Sequence, residues 1–247
     1  MKFSRKFATL AVLVLAGSGM TVHGAETQQD QKALDVLNRS AAFTNAMDKV
    51  IIKGETYADA GLGAGLVVSN SNEVTIKIDR PDSLYMERFD GVNTARVFIN
   101  RGKLTIFSTE NNFYAKADVP TDVKDAMQFA LDQLGLELPM AEFFFSDSTL
   151  DLIKEQDEIL YLTDKSRIRG VDCHQIAVRG EIVDLQLWIA EGDKPTPRQV
   201  QMTMKWDGGS PRNTAFMEWT EVDELDPKIF EFTPPEGALE IPFVGAE

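Results

Sequence analysis

The chain is poor in the two residue types that most often build catalytic and metal sites. It contains one cysteine and two histidines in 247 residues, and His23 falls within a segment that we expect to be removed. A single cysteine cannot form a disulfide within the chain, and the remaining histidine, His174, cannot by itself supply the ligands of a zinc or iron site. We therefore expect no metal, no cofactor and no enzymatic activity.

Cys173 and His174 are neighbours in the sequence and would be the obvious nucleophile and base. They fall in a segment with the alternation of a strand, where consecutive side chains point to opposite faces of the sheet. The two side chains therefore do not readily meet as a catalytic pair. We interpret Cys173 as a small buried apolar residue and regard an envelope enzyme as the weakest of the functions considered.

Positive charge is also scarce. The chain has 25 Lys and Arg against 39 Asp and Glu, a net charge of −14 at pH 7, and loss of the three N-terminal cations Lys2, Arg5 and Lys6 would take it to −17. An acidic surface repels phosphate backbones and anionic headgroups. We therefore expect no nucleic-acid partner; the charge serves solubility, or recognition of a basic patch on another protein.

The sequence has no hydrophobic run long enough to cross a membrane. The apolar run at residues 8–16 follows three cations and precedes small residues, which is the layout of a secretory signal peptide. It is about half the length of a membrane-spanning helix. We expect cleavage after Gly24 or Ala25, export to the periplasm, and a soluble monomer with a single domain over residues 26–247.

Two segments near residue 190 carry the clearest strand pattern. Apolar and polar residues alternate over residues 183–189, and the alternation returns over residues 200–206 after the polar sequence EGDKPTP. A period of two is typical of a strand with one buried face, so the segments predict a hairpin with a shared apolar face. The apolar positions are Val183, Leu185, Leu187, Ile189, Val200, Met202, Met204 and Trp206.

The segments before and after this hairpin predict further strands. Apolar residues at helical spacing from Gln29 to about Val50 predict one long amphipathic helix, and the glycines at 61, 63 and 65 predict a hairpin turn. Strands are predicted at residues 66–78, 84–89, 95–100, 103–108, 113–117, 159–163, 171–179 and 213–222. The sequence thus predicts an α+β fold with roughly ten antiparallel strands and helices on one face.

A helical insert divides the two sets of strands. Thr121 is a suitable cap for a helix that ends at Gly135, and a second short helix is expected through Ile153. The insert either packs on an ordinary core or covers a cavity. The residues alone leave both interpretations open.

Soft apolar side chains are conspicuous both in the insert and in the later strands. Methionine is flexible and polarisable, which suits a surface that accepts ligands of varied shape; in a plain core the same residues fill irregular gaps. A curved sheet covered by helices can also shelter an acyl chain from water. Our candidate ligand-binding residues are Met127, Leu131, Phe143, Phe144, Phe145, Leu187, Met202, Met204 and Trp206.

Several short motifs resemble the LolA/LolB superfamily of lipoprotein carriers. The sequence DPKIFEFTPPEG at residues 226–237 resembles the F-x-F-T-P-P-x-G closing segment of these carriers, and Arg80-Pro81 is similar to their R-P motif. KLTIF at 103–107 resembles one of their strands. GVDCH at 170–174 and residues 187–198 are closer to a branch of periplasmic proteins of unknown function. The matches span almost the whole mature chain, and the terminal one is the most specific.

The resemblance implies a half-open, strongly curved antiparallel β-barrel with the helices as its lid. It implies a non-catalytic periplasmic carrier for a lipid or an acylated protein, with Arg80 holding the lid closed. A guanidinium suits that role because it can satisfy several helix-end carbonyls at once. The alternative is a module that binds another envelope protein through its acidic surface and uses the barrel as a scaffold.

Overall fold

The structure is a computed structural model that describes residues 28–61, 66–136, 153–156, 158–205 and 211–243. The helices are α1 Gln31–Asn45, α2 Val123–Leu134 and a 3₁₀ turn, Pro227–Phe230. The strands are β1 Gln28–Gln29, β2 Lys49–Gly61, β3 Val67–Asp79, β4 Ser83–Phe89, β5 Thr94–Asn100, β6 Lys103–Ser108, β7 Phe113–Asp118, β8 Glu158–Ile168, β9 Val171–Arg179, β10 Val183–Ala190, β11 Pro197–Met204, β12 Arg212–Glu221 and β13 Leu239–Glu240. The predicted signal peptide lies outside the described residues.

All thirteen strands belong to one curved sheet. Its order is β1-β8-β9-β10-β11-β12-β2-β3-β4-β5-β6-β7-β13, and every pairing is antiparallel except the two short edge pairings of β1 with β8 and β13 with β7. Within the described residues the two edges are not paired with each other, so the sheet stays unclosed. The predicted α+β fold with a half-open antiparallel sheet is confirmed in outline. The described residues form thirteen strands rather than roughly ten, because β1, β2 and β13 were not predicted.

Strand β2 corrects the sequence prediction most strongly. The predicted helix ran to Val50, but α1 ends at Asn45, and Val50 belongs to β2. Met47 and Val50 happen to continue the helical spacing of α1. Val50 also alternates with Ile52 along β2, and both side chains are buried. The register pairs Gly61 with Val67, so the predicted glycine hairpin is confirmed, although residues 62–65 lie outside the described chain.

The two helices begin at aspartate caps. Asp30 accepts a hydrogen bond from the Lys32 backbone N–H at the start of α1. Asp122, rather than the predicted Thr121, accepts bonds from Lys124 and Asp125 at the start of α2, as an N-cap does. Gly135 ends α2 as predicted, with φ of 63°, a left-handed conformation that favours glycine.

One continuous hydrophobic core lies between the helices and the sheet. It joins apolar residues of α1 and α2 to alternate residues of the strands, and we call the sheet face that carries them the inner face. The two ends of the sheet differ. At the filled end, where β2 and β9 begin, inner residues such as Ile52, Ile78 and Ile189 are fully buried. The open end is the other end, with the turns that join β2 to β3, β4 to β5 and β9 to β10.

The C-terminal segment covers part of the outer face. Phe232 packs against the rings of Phe98, Phe107 and Tyr114, at centroid distances of 5.3, 5.6 and 5.1 Å, and Phe230 of the 3₁₀ turn is buried. Strand β13 then extends the edge at β7. The two phenylalanines of the F-x-F-T-P-P-x-G segment thus attach the C-terminus to strands β4 to β7.

Candidate functional site

The predicted hairpin near residue 190 forms as β10 and β11. Leu185 pairs with Met202 and Leu187 with Val200, and a β-bulge follows at Trp188 and Ile189. Side chains at paired positions share a face of the sheet. The predicted common apolar face is therefore present, and it belongs to the inner face that packs under the helices.

Burial along this hairpin falls toward the open end. Leu187 is 5% exposed and belongs to the core, whereas Leu185 and Met202 are partly buried and pack against its edge. Met204, nearer still to the open end, is only partly buried. Apolar surface thus remains accessible beside the turn that joins β9 to β10.

Exposed apolar side chains also gather at the turns of the open end. Val92, in the turn between β4 and β5, is 83% exposed, and Ile182, between β9 and β10, is 65% exposed. Leu66 and Val67 are exposed beside the turn between β2 and β3, and Leu239 is exposed at the edge. Single exposed apolar residues are ordinary, but their concentration at one end distinguishes that end from the filled one.

The other candidate ligand residues fall in three groups. Met127 of α2 is buried in the core, and Leu131, one helical turn further on, is 40% exposed. The helix thus brings Met127, but not Leu131, into the packed interior. Phe143, Phe144, Phe145 and Trp206 lie outside the described residues. A role in ligand binding remains a prediction for all nine candidates.

Arg80 connects the corner between β3 and β4 to the segment after α1. Its Nε donates a hydrogen bond to the backbone oxygen of Met47 at 3.0 Å, and its backbone N–H donates to Asp48 at 2.8 Å. The neighbouring Pro81 oxygen accepts from the backbone N–H of Val123 at the start of α2. The Arg80-Pro81 corner therefore contacts the chain at the ends of both helices. The lid-closing role of Arg80 remains a prediction.

Cys173 and His174 have separate surroundings. Cys173 is fully buried, its thiol lies 3.4 Å from the Val171 oxygen, and burial raises its pKa, which disfavours the reactive thiolate. His174 Nδ1 lies 2.8 Å from the Tyr161 hydroxyl and 3.9 Å from Glu191, and burial lowers its pKa. Neither geometry nor ionisation makes Cys173 and His174 a nucleophile and base.

A polar cavity of about 710 Å³ lies at the filled end. It is bordered by the segment after α1, the start of β2, the connection between β10 and β11, and the end of β12. The five predicted ligand residues that the structure describes do not line it. Its lining residues are Phe43, Met47, Asp48, Lys49, Val171, Ala190, Glu191, Lys194, Thr196, Arg198, Trp219, Thr220, Glu221, Val222 and Asp223.

Sequence reasoning missed this cavity because its walls come from distant parts of the chain. The backbone N–H of Val222 bonds to Lys49, and the indole Nε1 of Trp219 donates to Pro197 at 2.9 Å. The polar, proline-bearing sequence EGDKPTP contributes residues to the wall, but its pattern predicts only a connection between strands.

The described residues contain neither a metal-binding cluster nor a membrane-spanning helix. Within the described ranges, no group of three or more His, Cys, Asp or Glu side chains is placed to hold a metal ion. No helix in that part of the chain has the length and apolar character required to span a membrane.

Three crystal structures are similar to this chain at low sequence identity. Lipoprotein LppX from Mycobacterium tuberculosis has a TM-score of 0.46 and 10% identity, over 80% of this chain and 100% of that one. LprF from Mycobacterium bovis has a TM-score of 0.45 and 9% identity, over 85% of this chain and 98% of that one. The LolA superfamily protein NE2245 from Nitrosomonas europaea has a TM-score of 0.38 and 9% identity, over 81% of this chain and 97% of that one. No curated protein matches the sequence.

A family model matches most of the chain. It covers residues 33–244 and is described as "Predicted periplasmic protein (DUF2092)". The match includes both helices and the core strands, and it confirms the resemblance to an uncharacterised periplasmic family and the periplasmic location. The chain belongs to the DUF2092 family of periplasmic proteins.

Proposed function

We propose that the protein is a periplasmic binding or carrier protein for a hydrophobic ligand, a lipid or the acyl chain of a lipoprotein. The observation that carries this proposal is the gradient of burial along β10 and β11. Leu187 and Val200 lie in the packed core, whereas Leu185 and Met202 at its edge are only partly buried. An acyl chain lying along this partly covered apolar face would remove more of it from water.

The energetics favour a flexible apolar ligand at this position. Each methylene group that leaves water contributes about 0.8 kcal/mol, so a long acyl chain gains stabilisation even when only part of it is sheltered. Methionine side chains adapt to such a ligand at little cost. The exposed residues Val92 and Ile182 place further apolar surface beside the same end of the sheet, which supports entry of the ligand there.

The names of two similar proteins agree with this proposal without carrying it. NE2245 is named as a LolA superfamily protein, and another similar chain is named as a putative outer membrane lipoprotein-sorting protein domain from Vibrio parahaemolyticus. We propose a related role for the present chain, with helix α2 and the insert after it as a lid that Arg80 helps to hold closed.

Titration with a fluorescent fatty acid tests the proposal on a pair of matched variants. Met202→Lys places a charge on the inner face, whereas Thr203→Lys places the same charge on the opposite face of the same strand. We expect saturable binding by the wild-type protein and by Thr203→Lys, and at least a ten-fold loss in Met202→Lys, because an ammonium group in an apolar site is costly. Absence of saturable binding, or equal binding by both variants, would reject the proposal.

A further inference from the structure

The cavity at the filled end carries a second inference, which does not depend on the proposed lipid site. Its volume of about 710 Å³ falls within the range of about 300–1,000 Å³ that is usual for small-molecule sites. It lies at the opposite end of the strands from Met202 and Met204. The charges on its walls indicate what kind of molecule fits.

One side of the cavity carries acidic residues. Asp48 follows α1, and Glu221 and Asp223 lie at the end of β12, which pairs with the start of β2. Within the described chain these three carboxylates form no salt bridge, and Lys49 beside them is paired with Asp79 at 3.2 Å. This side therefore presents negative charge to the cavity.

The other side carries two cations from the connection between β10 and β11. Lys194 is exposed in the turn, and the Arg198 side chain, which is 13% exposed, lies 3.6 Å from Glu218. Glu191 also lines this side and faces His174. Among the described residues Arg198 Nε has no hydrogen-bond partner, although it is buried.

The unpaired Nε of Arg198 calls for an explanation, because buried donors nearly always have a partner. A guanidinium has five N–H donors arranged to bind a carboxylate or phosphate through two bonds at once. The contact with Glu218 is longer than a hydrogen bond and leaves most of these donors unused. Arg198 is therefore suited to an oxyanion that enters the cavity.

A ligand with only one charge would fit poorly. A simple anion would lie near Asp48, Glu221 and Asp223, and a simple cation would lie near the partly buried Arg198. A molecule with both charges can direct its oxyanion to Arg198 and its ammonium group to the carboxylates. Phe43 and Trp219 line the same cavity, and aromatic faces also attract ammonium groups.

We propose that this cavity binds a small zwitterion that carries an ammonium group and a carboxylate or phosphate. Two sources have this chemistry: the phosphoethanolamine headgroup of a lipid, and a free amino acid or short peptide. In both cases Arg198 holds the oxyanion, and Asp48, Glu221 and Asp223 hold the ammonium group.

Calorimetric titration of the mature protein tests the proposal. The probes are O-phosphoethanolamine and glycylglycine as zwitterions, with inorganic phosphate and ethanolamine as singly functional controls. We expect one or both zwitterions to bind, and each control to bind at least ten-fold more weakly, because it engages only one side. Preference for O-phosphoethanolamine identifies the headgroup source, and preference for glycylglycine identifies the peptide source.

Variants on the two sides complete the test. Arg198→Gln should reduce zwitterion affinity about ten-fold or more, since a neutral amide cannot replace the charged guanidinium group. Asp223→Asn, at an exposed residue, should also reduce affinity without affecting folding, which circular dichroism checks. Arg179→Gln, an exposed position at the open end, is the matched control and should bind as the wild type does. No zwitterion binding at millimolar concentration, or binding that survives both cavity substitutions, overturns the proposal.

Discussion

Leu185 and Met202 face each other as register partners on β10 and β11, at the point where the inner face changes from fully buried to partly exposed. Toward the filled end, the next inner pair, Leu187 and Val200, is packed in the core. Toward the open end, the pair Val183 and Met204 is partly buried. This position along the hairpin separates a closed core from an apolar face that is still accessible.

The C-terminal phenylalanines should contribute to stability rather than to ligand binding. Phe230 is buried, and its replacement by alanine should lower the free energy of unfolding by about 3–5 kcal/mol, because truncation of a buried aromatic leaves a cavity. Phe113→Ala, at an exposed residue of β7, is the control and should have a much smaller effect. Urea unfolding measures both. Equal stability of Phe230→Ala and the wild type would contradict the packing described.

Substitution of Arg80 should affect the segment after α1. Arg80→Leu removes the hydrogen bond to the Met47 carbonyl, and loss of a charged donor to a partly buried acceptor should cost about 1–3 kcal/mol. If Arg80 also holds the lid closed, the variant should release a bound fluorescent fatty acid faster. Arg101→Leu, at an exposed residue, is the control. If both the release of the fatty acid and the stability were unchanged, Arg80 would neither stabilise the segment after α1 nor hold the lid closed.

The thiol of Cys173 should be unreactive in the folded protein. It is fully buried, and burial raises its pKa, so little thiolate forms and reagents have no access. Reaction with a thiol-specific chromogenic reagent at neutral pH should be slow for the native protein and fast in urea. Rapid modification of the native protein would show that Cys173 is accessible and would support a role for it as a nucleophile.

His174 should make stability depend on pH just below neutrality. Burial lowers its pKa below the ordinary value of 6.5, with Arg39 and Lys32 adding to the shift and Glu191 and Asp164 opposing it. The unfolded chain then binds a proton more readily than the folded one. The contribution to stability is therefore complete above pH 6.5 and is lost as the pH falls through the folded pKa.

Urea unfolding between about pH 5.5 and 7.5, the range in which histidine titrates, measures this dependence. In His174→Gln the amide can still accept a hydrogen bond from Tyr161 but does not titrate, so the fall in stability over this range should become smaller. An identical pH profile for wild type and variant would show that His174 is not the group responsible.

Much of the fold followed from local patterns in the sequence. Strands β6 and β9 were predicted at their observed bounds, and β10 pairs with β11 on the expected face. Each of these strands has one buried face, so apolar and polar residues alternate along its sequence. The start of strand β2 was missed because Val50 also fits the helical period of the preceding segment.

The sites were less predictable than the fold. Met127 and Leu131 lie one turn apart on the helix predicted to end at Gly135, yet one is buried and the other is 40% exposed, because the extent of cover depends on packing between distant elements. The cavity around Arg198 was not predicted at all. Its charged lining residues lie between residues 48 and 223 of the sequence, and only the folded chain brings them together.

We propose that the partly covered face around Leu185 and Met202 holds a hydrophobic ligand. The most direct measurement is lipid extraction and mass spectrometry on protein purified from the periplasm, for the wild type and for a variant that carries both Leu185→Trp and Met202→Trp. These substitutions fill the space while keeping it apolar. We expect a stoichiometric co-purifying lipid on the wild type and little or none on the variant. A folded wild-type protein without lipid, or equal lipid on both proteins, would contradict a ligand-binding role for this face.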